Sequence, residues 1–151
     1  MNQVNDIAVS ESYWLTEFES PDTHEVMIKA ELVDRLQRMK RTVGLPVRIE
    51  SGYRTPEYNK ALGADPKSSH LIGQEVDVSC VGASLVVLAI AAVLAGFQSV
   101  IVDAKENLVH CGLGPREQII VPAKWSYALR FAFPEKKDLV FMFEDVFPGK
   151  R

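Results

Sequence analysis

The chain has little of what usually betrays a partner. It has no basic run: 17 lysines and arginines stand against 20 aspartates and glutamates, a net charge of −3. That balance removes the electrostatic case for nucleic acid or an anionic membrane as the main partner. No apolar run reaches the ~20 residues of a membrane span; the longest, 85-LVVLAIAAVLAGF-97, reads as a buried helix. Cysteine occurs only twice, as Cys80 and Cys111 at no metal-knuckle spacing, so two reduced thiols are expected in place of a disulfide scaffold. Repeats and low-complexity tracts are absent. The opening MNQVNDIAVSESYW lacks a basic stretch followed by an apolar core, so no secretory signal is visible and synthesis in the cytoplasm is expected.

What is there suits a single domain spanning 1–151. The 151 residues, 47% hydrophobic and 25% charged, can bury a core without staples. From Lys29, the apolar positions Leu32, Val33, Leu36, Met39 and Val43 recur at helical spacing until Gly44. Segment 46-PVRIES-51 alternates as a half-buried strand, and Thr55-Pro56 opens a short helix that ends near Gly63. After Gly73, 74-QEVDVSC-80 predicts a strand; Ser84 caps the apolar helix, and 98-QSVIVD-103 with 107-NLVHCGL-113 predict a hairpin. In the tail, Trp125, Tyr127, Leu129, Phe131 and Phe133 fall on alternate positions, 134-PEKKD-138 turns, and Leu139, Phe141 and Phe143 continue the alternation. This predicts a C-terminal β-hairpin over about 123–147, whose aromatic face packs on the core or serves a protein partner or self-association.

The chemistry concentrates in 68-SSHLIGQEVDVSC-80 and 107-NLVHCGLGP-115. A catalytic zinc commonly takes three nitrogen or oxygen ligands from different elements and keeps a position for water. His70 on a loop, Asp77 on the strand after Gly73 and His110 on a later strand meet that description. Strand alternation puts Glu75, Asp77 and Ser79 on one face, and turns Cys111 away from His110. The same residues also fit a hydrogen-bonded loop histidine and a surface aspartate.

Taken together, 51-SGYRTPEYN-59, 68-SSHLIGQEVDV-78 and 109-VHCGLGP-115 resemble the zinc D-alanyl-D-alanine carboxypeptidase family, which includes phage endolysins cutting L-alanyl-D-glutamate bonds. The family shares its core with the Hedgehog signalling domain. The resemblance runs from about Tyr13 to Pro115 and is nearest to compact, phage-associated members. It implies an α+β fold, a small antiparallel sheet with packed helices, to which the C-terminal hairpin is added. It implies one zinc per chain on His70, Asp77 and His110, with Gly73 as the turn that lets His70 and Asp77 converge. Arg54 would clamp a substrate carbonyl or carboxylate, and Ser68 would lie beside the substrate backbone or cap its loop. The implied activity is hydrolysis of a peptide bond in peptidoglycan stem peptide, with zinc polarising the carbonyl and acidifying a water. A phage or prophage source, with release by a holin or carriage in a virion, would suit such an enzyme.

The family's acidic residue near the second histidine is not matched: Asn107 stands three before His110 and Gly112 two after. An amide cannot take a proton from water, so Glu106 or Glu75 is expected to act instead, with Glu75 also able to serve as an extra ligand. The competing expectation is a catalytically degenerate domain that keeps a metal and binds wall peptide or a phage structural partner.

Overall fold

The computed structural model describes residues 4–115, 117–136 and 139–142. The predicted amphipathic helix is α1, Ala30–Val43, with Leu32, Val33, Leu36 and Met39 buried and Gly44 at its end. Strand β1, Arg48–Ser51, leads to α2, Pro56–Ala61, whose Thr55 hydroxyl accepts the Tyr58 amide as an N-cap. Strand β2, Glu75–Ser79, is followed by α3, Leu85–Leu94, capped by Ser84. Strands β3, Ser99–Asp103, and β4, Leu108–Gly112, form the expected antiparallel hairpin.

The fold is α+β, but the sheet is mixed where an antiparallel one was expected. Its order is β1-β2-β4-β3-β5-β6, with β5 at Gln118–Pro122 and β6 at Leu139–Met142. The first four strands pair antiparallel, whereas β3–β5 and β5–β6 are parallel. Helices α1 and α3 pack on each other, and α3 on β3 and β4. One sheet face supplies Val76, Val78, Val100, Val102, Val109 and Cys111 to the core. The opposite face of β2 and β4 is left for polar side chains. Both cysteines are free, and no helix among the described residues is long and apolar enough to cross a membrane.

The C-terminal β-hairpin is overturned. Residues Ser126–Ala132 form helix α4, and β6 lies parallel beside β5, so the segment is a strand–helix–strand crossover. The alternation of aromatics suggested a strand, but among the described side chains of that run Leu129 and Phe133, four residues apart on one helical face, are buried, while Phe131 is exposed. In a run this short, periods of two and of 3.6 share positions, and the neighbouring strand's edge decided between them. Phe143, assigned to the same hairpin, lies outside the described residues.

Candidate functional site

His70 is held by a turn built for it. Ser68 caps a 3-10 turn, Ser69–Ile72, its hydroxyl accepting the His70 amide at 3.3 Å. Gly73 closes the turn at φ 67°, in the left-handed region. A Cβ there would stand 2.5 Å from the Met27 carbonyl oxygen and 2.8 Å from Ile28 Cα, so the position is closed to any side chain. The chain then enters β2, where Asp77 lies directly across the ladder from His110 on β4. Cross-strand partners share a sheet face, so both side chains project toward His70. Arg54 joins through the loop after β1: its amide donates to the His70 carbonyl at 3.3 Å, while the Thr55 amide and hydroxyl hold Ser20 and Asp22.

These elements bring His70, Asp77, His110, Arg54 and Glu75 into one buried cluster, each at 5% exposure or less. Asp77 is its hub. One oxygen, Oδ1, lies 3.1 Å from His70 Nε2 and 2.5 Å from His110 Nδ1; the other accepts Arg54 Nη2 at 3.1 Å. Arg54 also donates to Ser51 and Asn59. Glu75 Oε2 lies 3.3 Å from His70 Nε2.

Burial opposes ionisation of Asp77, yet the hydrogen bonds and charges of His110 and His70 outweigh it and hold the carboxyl well below its usual range. For His110, burial opposes the charged ring, but the Asp77 hydrogen bond and the charges of Asp77, Glu75 and Asp103 raise its pKa. Burial pushes the Cys111 thiol up, and it stays an inert member of the core. The raised His110 contributes stability fully below the unfolded imidazole value, ~6.5, and loses it as pH rises through the folded value. The depressed Asp77 contributes above its unfolded value, ~3.9, and loses it as pH falls further. A chelator-treated chain is therefore expected to melt highest between about pH 4 and 6.5, and to lose thermal stability on moving to pH 8. His110→Gln should flatten the alkaline side of that profile; an unchanged profile would remove His110 as its cause.

The donor set is chemically suited to a divalent metal: two imidazole nitrogens and a carboxylate, with a second carboxylate alongside. His70 Nδ1 stands 2.6 Å from the Gly52 carbonyl and donates to it, which turns the Nε2 lone pair of the neutral ring toward Asp77 and Glu75. A lone pair facing two carboxylates needs a proton or a cation between them. Among the described residues no three His, Cys, Asp or Glu side chains stand around a common point as a formed metal centre; the imidazoles close directly on Asp77.

Three members of the cluster, Arg54, Asp77 and His110, line a cleft of about 220 Å³ whose wall also includes Asp103, Glu106 and Glu50, while His70 and Glu75 are not among its lining residues. Glu106 is exposed on the β3–β4 turn, its amide donating to Asp103 Oδ1 at 2.9 Å. Asn107 closes that turn at φ 57°, a left-handed conformation that asparagine tolerates, so this position serves the turn. Gly112 lies directly opposite Glu75 in the ladder, and a Cβ on it would meet Glu75 Cγ at 3.8 Å. A carboxylate missing from β4 at this level is thus present on the strand beside it. Two participants escaped the sequence reading. The Gly52 carbonyl carries no side-chain signal. Asp103 does: on β3 it shares a face with Ile101, the cross-strand partner of His110, and alternation along the hairpin points it to the site.

The pattern of a family described as Peptidase M15 matches residues 2–112. No curated protein matches the chain.

Proposed function

The chain belongs to the peptidase M15 family, and from that premise we propose that it hydrolyses a peptide bond in peptidoglycan stem peptide, with one zinc ion held by His70, Asp77 and His110. The observation that carries this reading is the meeting of two imidazoles on one buried carboxylate, Asp77, which with His110 lines an acidic cleft. Zinc, when bound, polarises a carbonyl oxygen and brings the pKa of a water toward ~7. Arg54 lines the cleft beside Asp77, and its planar fork suits a substrate carbonyl or carboxylate. Proton transfer falls to Glu106, which lines the cleft, or to Glu75, which lies beside His70. Ser68, capping the turn of His70, supports the site from behind.

A second reading has one observation in its favour. Glu75 is a fourth donor within 3.3 Å of His70 Nε2, and a structural zinc site fills its fourth position. Such a domain would bind wall peptide without cutting it.

The deciding experiment has two stages. Protein purified without added metal is expected to carry one zinc per wild-type chain and none in His70→Ala. Wild type should then release peptide fragments from purified peptidoglycan in a chelator-sensitive manner, at roughly 100-fold the rate of Arg54→Ala, the scale on which lost substrate positioning acts. Zinc without release, or equal release from the two proteins, would end the catalytic reading in favour of the binding one.

A further inference from the structure

We propose that Asp103 is the positioning residue of His110: its carboxylate, 3.6 Å from the ring's Nε2, attracts the N–H there and so keeps Nδ1 turned toward Asp77 and the metal site. The inference rests on the metal-holding part of the reading above, and concerns a residue outside its ligand and proton-transfer sets. Asp103 ends β3 with only 6% exposure, a depth at which a carboxylate requires partners. Its two oxygens divide the work. Oδ1 accepts the Glu106 amide at 2.9 Å and shapes the turn, while Oδ2 lies 3.6 Å from His110 Nε2. The far side of the same ring has Nδ1 2.5 Å from Asp77. The imidazole therefore lies between two carboxylates on neighbouring strands, and its plane and tautomer follow from both. His70 has the corresponding arrangement, with the Gly52 carbonyl as its outer acceptor. Each imidazole thus has an oxygen behind it, hydrogen-bonded for His70 and an ion-pair neighbour at 3.6 Å for His110, and the nitrogen facing Asp77 is left as the donor atom. Such outer acceptors fix ring orientation and raise ligand basicity, and their removal typically costs about 10–100-fold in metal affinity.

The two oxygens also supply the test. Asp103→Asn keeps an oxygen for the Glu106 amide but places an NH₂ group before His110 Nε2, where a donor then meets a donor. Asp103→Ala removes both contacts. Zinc dissociation constants are measured by chelator competition, with thermal melting to confirm folding, and imidazole nitrogen resonances of the zinc-loaded proteins report which ring nitrogen of His110 carries the proton. Both variants are expected to bind zinc at least ~10-fold more weakly, with the Nε2–H signature of His110 lost in Asp103→Asn. If Asp103→Asn binds zinc as wild type does and only Asp103→Ala is impaired, Asp103 merely shapes the turn and the inference is overturned. If wild type itself binds no zinc, the metal reading falls and takes this inference with it.

Discussion

Asp77→Ala is expected to lower stability by about 3–5 kcal/mol, the range for removing one partner of a buried ion pair. The cause is what stays behind. Arg54, at 5% exposure, loses the carboxylate 3.1 Å from its Nη2, and His110 loses the partner that raises its pKa. For a domain of this length, roughly 2–4 °C per kcal/mol translates that into a fall of roughly 6–20 °C in melting temperature. The double variant Asp77→Ala/Arg54→Met should recover part of the loss, because no uncompensated guanidinium is then buried. Thermal melts of the three proteins at pH 6 make the comparison. A single variant within ~1 kcal/mol of wild type, a surface-like cost, would show that Asp77 is not the hub the geometry describes.

Gly73→Ala and Gly63→Ala should separate backbone strain from steric exclusion. Both glycines sit in the left-handed region, at φ 67° and 69°. An alanine at Gly63 meets nothing within 4 Å, so its cost is the left-handed strain alone, about 1–2 kcal/mol. At Gly73 the added Cβ meets the Met27 carbonyl and Ile28 Cα, backbone atoms that cannot swing aside, and the Lys29 amide donates to the Gly73 carbonyl at 2.9 Å. The turn must shift, at a further ~1–3 kcal/mol for overpacking, and the turn that shifts is the one carrying His70. Urea unfolding should place Gly73→Ala well below Gly63→Ala. Zinc affinity should fall in the former and hold in the latter. Equal midpoints for the two would mean that the clash is absorbed at no cost and that the turn is not tightly set.

The elements readable in advance were those whose signal is local. Helix α1 shows its buried face as a 3.6-residue period, Thr55 and Ser84 are caps that bond their own helices, and β3–β4 is a hairpin between adjacent segments. Helix α4 and the parallel β5–β6 pair were not legible. Parallel pairing is made between segments that a helix separates, and the alternation of Leu129, Phe131 and Phe133 is equally compatible with a helix burying the first and last.

The same division runs through the site. By itself the sequence supplied candidates: a glycine turn, strand alternation and spacing singled out His70, Asp77, Glu75 and His110, and Arg54 came with the resemblance that the S-G-Y-R and S-x-H-x-x-G-x-x-x-D elements carry, all of them properties of short segments. Only the tertiary structure decided how they are wired. Strand register placed Asp77 opposite His110 and Glu75 opposite Gly112, and it put Asp103 behind the His110 ring. Register is a relation between segments far apart in the chain, set by which core faces meet α1 and α3. One strand's own sequence carries its alternation but not its neighbour.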